Sequence, residues 1–285
     1  MAVPVTTRRS RPEQDATEAL EVELLLDGVF RQYGYDFRDY ARTSMRRRLW
    51  NIVKSEGLQT ISGLQERILH DEAAWERFLQ GISVSMSAMF RDPHFFQTFR
   101  RRAVPILRTY PFIRIWQAGC SLGEEAYSLA ILLQEEGLYD RSLIYSTDIN
   151  ESTLRQAREG IYPAELMQKY TQNYILSGGQ RSFSEYYTAR YEFAIMRPSL
   201  RQNIVFSQHN LVSDGPFNEF NVVLCRNVMI YFNRGLQERT HALFYNSLSA
   251  FGLLGLGSGE SMCFMPLEKR YEPLDPGEKL YRRIA

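Results

Sequence analysis

Chemistry is first suggested by a short stretch around two glycines. Gly119 and Gly123 follow an apolar run, Phe112-Ile113-Arg114-Ile115-Trp116, and precede a helical pattern over 124–136. A strand–loop–helix passage of this kind, lacking Cβ atoms where it turns, lets backbone come close to a nucleoside ligand. The spacing is not the GxGxxG dinucleotide fingerprint, and alone it describes only a turn. Two carboxylate features add to it. Asp148 ends the next apolar run, Leu143-Ile144-Tyr145-Ser146-Thr147, 25 residues after Gly123, where a carboxylate accepts hydrogen bonds from ribose hydroxyls. Glu124 and Glu125 open the helix, where a carboxylate either complements the helix dipole or holds a positively charged amino group. In this order the residues describe a nucleoside pocket at the carboxyl ends of a sheet.

Other chemistries find less support. His70, His94, His209 and His241 are dispersed, and no Ser-His-Asp set can be read. Cys120, Cys225 and Cys263 are widely spaced, which argues against a disulfide framework and a CxxC metal cluster, so no metal is expected.

The elements that must position the pocket belong to a chain of 285 residues, 44% hydrophobic and 24% charged, a globular composition with length for two domains. No apolar stretch approaches the ~20 residues of a membrane-spanning helix. Arg8, Arg9 and Arg11 are followed by no apolar segment, so a secretory signal is not read and a cytoplasmic location is expected. Net charge is +1, yet residues 31–54 hold seven Arg or Lys against Asp36 and Asp39. This reads as one basic face for one acidic partner rather than a nucleic-acid binder.

Residues 1–15 read as a flexible tail and 16–90 as a helical domain. Its first helix is marked by Leu20, Leu24, Val29, Phe30 and Tyr33 and ends at Gly34. A second, over about 37–56, carries Tyr40, Met45, Leu49, Trp50 and Val53 on one side and a stripe of Arg38, Arg42 and Arg46 on the other. Further helices are expected at 60–70, 71–82 and 92–108, with Arg100-Arg101-Arg102 facing solvent. From 112 strands and helices alternate, which implies a parallel sheet, and the strands resume at 204–206, 222–225 and 253–256, with a helix at 234–250. Between them, at about 165–203, a Tyr-rich segment that includes Tyr174-Ile175-Leu176 reads as a small antiparallel insertion. The expected fold class is α/β, with residues 91–285 forming the sheet domain.

Three strings carry a resemblance beyond these patterns: Ala118-Gly119-Cys120-Ser121-Leu122-Gly123-Glu124-Glu125-Ala126-Tyr127-Ser128, then Ser146-Thr147-Asp148-Ile149-Asn150, then Leu224-Cys225-Arg226-Asn227-Val228-Met229-Ile230-Tyr231-Phe232. They closely resemble the CheR family of chemoreceptor methyltransferases. The likeness spans about residues 20–282 and includes Ser87-Ala88-Met89-Phe90-Arg91-Asp92-Pro93 and Gly257-Ser258-Gly259-Glu260-Ser261. It implies a Rossmann-like class I methyltransferase sheet behind a helical amino-terminal domain. It also implies methyl transfer from S-adenosylmethionine to glutamate carboxylates of chemoreceptors, leaving S-adenosylhomocysteine.

By the same resemblance Glu125 holds the methionine amino group and Asp148 the ribose, with Gly119 in the cofactor loop. Asn210 and Leu211 flank the adenine, Arg226 and Asn227 stand near the cofactor, and Ser85, Ser87 and Arg91 close over its methionine end. Tyr231 lies near the transferable methyl, Arg91 and Tyr231 are the catalytic candidates, and Arg38, Arg42 and Arg46 dock the acidic helices of the receptor. Ser87 stands where threonine is common, Leu122 where threonine is usual, and GSGES where GHSES is more frequent. Ser177-Gly178-Gly179-Gln180-Arg181 lacks the GxG-type loop of members that dock on a receptor tail, so recognition without a tether is expected. The alternatives are a methyltransferase of this fold acting on RNA or a small molecule, and an S-adenosylmethionine-binding module without turnover. A monomer is expected, with no nucleic-acid partner and no direct membrane insertion.

Overall fold

The computed structural model describes residues 11–83 and 87–284, the side chains of 11–14 excepted. The chain divides into two compact units, Met1–Ser83 and Val84–Ala285. The division falls earlier than the boundary expected at residue 90. Ala88, Met89 and Phe90 are buried in the core of the second unit, where Phe90 N donates to Ser128 Oγ at 2.8 Å.

The first unit is built from α1 (Arg11–Tyr33), α2 (Arg42–Ser55), α3 (Ile61–His70) and α4 (Glu72–Ile82). Thr60 and Asp71 cap α3 and α4, their side chains accepting from Gly63 N and from Ala73 N and Ala74 N. The core draws Leu25 and Val29 from α1, Leu49 and Val53 from α2, Leu64 and Ile68 from α3 and Phe78 from α4, all fully buried. Tyr33 stacks on Trp75 with ring centroids 3.8 Å apart.

Three expectations change here. Helix α1 starts at Arg11 rather than 16, because Asp15 and Glu18 find a tertiary partner in Arg46 of α2; residues 1–10 of the expected tail lie outside the described residues. Its buried face is Leu25, Leu26 and Val29, while Leu20 and Leu24 are about half exposed. Helix α2 begins at Arg42, so Arg38 is not on it. Arg38 sits in a turn where the Asp36 carboxylate accepts from its backbone N at 3.1 Å and its Nη2 at 2.8 Å.

The second unit opens with α5 (Pro93–Thr98), a π-helical turn (Phe99–Ala103) and α6 (Val104–Leu107). Then come β1 (Ile113–Ala118), α7 (Glu124–Glu135), β2 (Ser142–Asp148) and α8 (Glu151–Glu159), followed by β3 (Ile161–Pro163), α9 (Met167–Leu176), β4 (Tyr187–Arg190) and β5 (Phe193–Met196). The chain ends with β6 (Ile204–Gln208), β7 (Phe220–Cys225), α10 (Arg234–Ser247), β8 (Leu248–Leu256), β9 (Tyr271–Asp275) and β10 (Leu280–Arg283).

One sheet has the order β6-β2-β1-β7-β8-β10-β9, parallel from β6 through β8 and antiparallel where β10 joins β8 and β9. This is the expected class I methyltransferase arrangement. Its order reverses at β1, between β2 and β7, which opens a crevice at the carboxyl ends of these strands. Strands β9 and β10 were not read from the sequence, because residues such as Glu272 and Arg282 interrupt the apolar alternation. In the sheet these two are cross-strand partners with Nε to Oε1 at 2.6 Å.

The insertion forms a separate antiparallel sheet, β3-β5-β4, together with α9. Tyr174, Ile175 and Leu176, expected to be extended, are the last turn of α9. Tyr170 and Tyr174, four residues apart, are both buried on its inner side, so packing overrides their strand preference. Arg100 also departs from expectation. It turns inward from the π-helical turn, its side chain 10% exposed, onto Glu135 and Glu136 of the α7 end. The Glu135 carboxylate also accepts from the hydroxyls of Tyr174 and Tyr186, joining the insertion to the main sheet. No helix among the described residues is long and apolar enough to cross a membrane.

Removing the carboxylate of Glu135 leaves Arg100 with Glu136 alone and two buried hydroxyls without their acceptor. Glu135→Ala is expected to cost about 3 kcal/mol of the second unit's unfolding free energy, read from urea denaturation, while Arg101→Ala, at an exposed side chain, leaves it unchanged; equal effects would show that Glu135 is not the joint.

Candidate active site

The loop after β1 is held open by backbone geometry. Gly119 and Gly123 adopt φ of +79° and +86°, and a Cβ on Gly119 would lie 2.4 Å from Val228 Cγ2. Gly119 N and Cys120 N both donate to Thr147 O at 2.8 Å, which fastens the loop to the end of β2. Ser121 N then donates to Asp148 Oδ2 at 2.8 Å, while Asp148 Oδ1 accepts from Asn150 N at 3.1 Å. Burial raises the Asp148 carboxyl above its ordinary range, and these backbone donors oppose the rise. Each oxygen keeps a lone pair for a further donor such as a ribose hydroxyl.

At the start of α7 the two glutamates have different partners. Glu125 Oε2 accepts from Arg226 Nη1 at 2.7 Å, and its Oε1 is buried without a partner among the described residues. Arg226, after β7, has a side chain only 1% exposed, and its Nη2 reaches Asp92 Oδ2 at 3.0 Å and Arg91 O at 3.1 Å. Its guanidinium lies 4.0 Å from the Phe95 ring centroid. Two carboxylates around one guanidinium leave a local negative charge, and the open oxygen of Glu125 is where a cationic ligand group fits.

Glu124 is also buried, bonded by Ser87 and, at 3.4 Å, by the Tyr170 hydroxyl. Burial pushes its carboxyl up to about 7, against the lowering effect of those donors. Its Oε2 and the Ser121 hydroxyl are buried and without partners among the described residues. These orphaned atoms line the loop and the start of α7, a set able to bond polar groups of a ligand.

The loop after β6 closes one side of the crevice. His209 N donates to Asp148 O at 3.1 Å, which brings Asn210 and Leu211 to the end of β2. Asn210 is folded into a turn, its N donating to Asp214 Oδ2 at 2.8 Å and its Oδ1 accepting from Val212 N at 3.0 Å. The His209 ring packs on Trp116 and Phe217.

The carboxyl ends of β1, β2, β6 and β7 therefore gather Gly119, Glu125, Asp148, Asn210, Leu211, Arg226 and Asn227, while Ser87 and Arg91 reach the start of α7 through Glu124 and Arg226. Tyr231 follows in the turn Met229–Tyr231. Ser85 lies outside the described residues.

Two residues were missed as parts of this site. Glu260, 5% exposed, accepts from Gly257 N, Asn227 N, Val228 N and Met229 N at 2.6 to 3.1 Å and so shapes the loop that carries Arg226 and Asn227. Its place in the GSGES string was the available signal. Asp92, the third member of the Arg226 cluster, stands in the Ser87–Pro93 string, where no local pattern announces a partner 134 residues away.

In the first unit a groove of about 470 Å³ runs between α1 and the start of α2, with Ala19, Val22, Leu26 and Met45 on its walls. Arg38, Arg42 and Arg46 line it. Two of them are already paired: Arg38 with Asp36 and Asp27, Arg46 with Asp15 and Glu18. Arg42 has no ion pair among the described residues.

Comparison with known proteins fits this geometry. Residues 85–275 match the family model described as CheR methyltransferase, SAM binding domain, and residues 20–83 match CheR methyltransferase, all-alpha domain. Cher3 of Pseudomonas putida is 47% identical over 264 residues, covering 93% of this chain and 97% of that protein. The chemotaxis protein methyltransferases of Listeria innocua and Escherichia coli are 28% and 29% identical, over 82% and 85% of this chain and 87% and 84% of theirs.

Arg226→Gln removes the buried charge that pairs with the buried Glu125 and the partly exposed Asp92. It is expected to cost about 3–5 kcal/mol of stability, read from chemical denaturation; a loss below about 1 kcal/mol, the scale of an exposed pair, would mean that solvent already screens the cluster.

Proposed function

The chain belongs to the CheR methyltransferase family, a family of S-adenosylmethionine-dependent methyltransferases, and from its site we propose that it methylates glutamate side chains on the cytoplasmic helices of chemoreceptors. The observation that carries the cofactor reading is the buried, partnerless Glu125 Oε1 in a cluster of negative charge, on the same sheet edge as the Asp148 carboxylate. The acceptor reading rests on the family resemblance and on relatives named chemotaxis protein methyltransferases.

S-adenosylmethionine supplies an electrophilic methyl group on a sulfonium. A glutamate with pKa about 4.3 is already ionised at neutral pH, so no general base is required. What the protein contributes is alignment at roughly 3–3.5 Å and exclusion of water. Glu125 Oε1 accepts from the ammonium of the methionine end, Asp148 accepts from the ribose hydroxyls, and Asn210 and Leu211 border the adenine. Ser87, through Glu124, and Asn227, through Glu260, hold the walls of the pocket. Arg91 steers the acceptor carboxylate and Tyr231 orients it; a tight salt bridge would quench the nucleophile, so positioning outweighs neutralisation.

The helical unit supplies docking for an acidic helix, with Arg42 as its principal cation. Arg42 occupies the first turn of α2, where a cation opposes the helix dipole and does nothing for the stability of that helix. Arg38 and Arg46 exchange their internal carboxylates for those of the receptor. A cytoplasmic monomer that needs no receptor-tail tether completes the reading.

Calorimetric titration of S-adenosylhomocysteine into the wild type and Asp148→Ala tests the cofactor assignment: binding to the first and its loss in the second are expected, and no binding to the wild type would remove the reading. Incubation of labelled S-adenosylmethionine with receptor cytoplasmic fragments should yield base-labile methyl esters; base-stable label would point to another acceptor. Arg42→Glu should raise the receptor KM and flatten its salt dependence, with thermal stability kept or raised; an unchanged salt dependence would exclude the groove from docking.

A further inference from the structure

The inserted segment presents three polar side chains to the walls of the cofactor site. From β3, the Tyr162 hydroxyl donates to Leu122 O of the glycine loop at 2.8 Å. From α9, the Tyr170 hydroxyl reaches Glu124 Oε1 at 3.4 Å, and Asn173 Nδ2 donates to Met89 O at 3.0 Å. The partners belong to the glycine loop, the start of α7 and the 87–92 segment, three separate parts of the pocket. Each is a place where the main sheet offers the backbone or carboxylate no ladder partner of its own.

The 87–92 segment needs such support most. Phe90 and Asp92 adopt φ of +51° and +55°, a region that aspartate tolerates but that a bulky residue such as Phe90 holds only under external constraint. One clamp is α7, whose Ser128 Oγ accepts from Phe90 N. The other is the insertion: Asn173 takes the Met89 carbonyl, and the rings of Tyr174 and Phe183 meet Phe90 edge-on at centroid distances of 5.3 and 6.4 Å. Glu124 lies between the clamps, bonded by Ser87 on one side and Tyr170 on the other.

We infer that Tyr162, Tyr170 and Asn173 are positioning residues for S-adenosylmethionine, so that the insertion completes the methionine end of the cofactor site. The inference rests on the proposed function. None of the three is a catalytic residue; they act through Leu122, Glu124 and Met89. The groups facing Glu124 are Tyr170 from α9, Tyr162 from β3, Ser87, and the Cys120 thiol of the glycine loop, with no cation among the described ones. Its ionisation therefore adds negative charge to the pocket at a pH near neutrality, which favours a ligand bearing an ammonium group.

The test is calorimetric titration of S-adenosylhomocysteine into the full chain at pH 6, 7 and 8. Wild-type affinity should rise with pH as Glu124 ionises. Tyr170→Phe removes a donor to the charged form, worth about five-fold, which moves that ionisation to higher pH; at pH 7 it should bind about three-fold more weakly and largely recover by pH 8. Tyr162→Phe and Asn173→Ala should weaken binding several-fold at every pH without moving the profile, and Ile175→Ala, at an exposed position of α9, should match the wild type. Wild-type affinity in Tyr170→Phe and Asn173→Ala at each pH would overturn the inference. So would a pH-independent loss in Tyr170→Phe accompanied by a lower thermal midpoint, the mark of a packing role. Absence of binding by the wild type at all three values would instead overturn the functional reading, and this inference with it.

Discussion

The second unit depends on a charge that has been taken out of water. The guanidinium of Arg226, buried between Glu125, Asp92 and the carbonyl of Arg91, ties together the end of β7, the start of α7 and the segment that leads into α5. Desolvating an arginine is costly, and two carboxylates with good geometry, a carbonyl and the face of Phe95 offset that cost. Because the acids outnumber the base, the cluster keeps an excess of negative charge, and geometry leaves one oxygen of Glu125 open. The feature that orders the loops thus also leaves one buried carboxylate oxygen without a protein partner among the described residues.

The same device recurs along the sheet edge. Loops that leave parallel strands lose their ladder partners, and their N–H groups must be satisfied elsewhere. Asp148 does this for Ser121 and Asn150, and Glu260 for Gly257, Asn227, Val228 and Met229. Carboxylates therefore frame the crevice as acceptors for the backbone that forms its rim. The insertion extends the pattern with hydroxyl and amide donors directed at the remaining carbonyls and at Glu124.

In the helical unit charge is handled differently. Arg38 and Arg46 lie at the surface, and each is engaged by carboxylates of its own unit. Exposed pairs of this kind contribute little to stability and exchange partners readily. A basic surface neutralised within its own unit resists non-specific association, whereas Arg42 has no ion pair among the described residues.

By itself the sequence determined the alternation of strands and helices, the turn at Gly119 and Gly123, the carboxylate at the end of the second strand and the family strings. These features depend on local backbone preference and short-range periodicity, which neighbouring residues express without knowledge of the rest of the chain. The tertiary structure decided what depends on distant partners. It set which face of α1 is buried, since Leu20 and Leu25 have similar local claims and only packing against the other helices separates them. It folded Tyr174–Leu176 into a helix, turned Arg100 inward onto Glu135, and left Arg38 outside the helix that carries Arg42 and Arg46. Above all it brought Asp92, Glu125 and Arg226 together across 134 residues, and set Glu260 beneath the loop after β7. Burial, and with it the state of charge of each carboxylate, is a property of the whole fold, because the solvent a side chain loses is displaced by residues far from it in the chain.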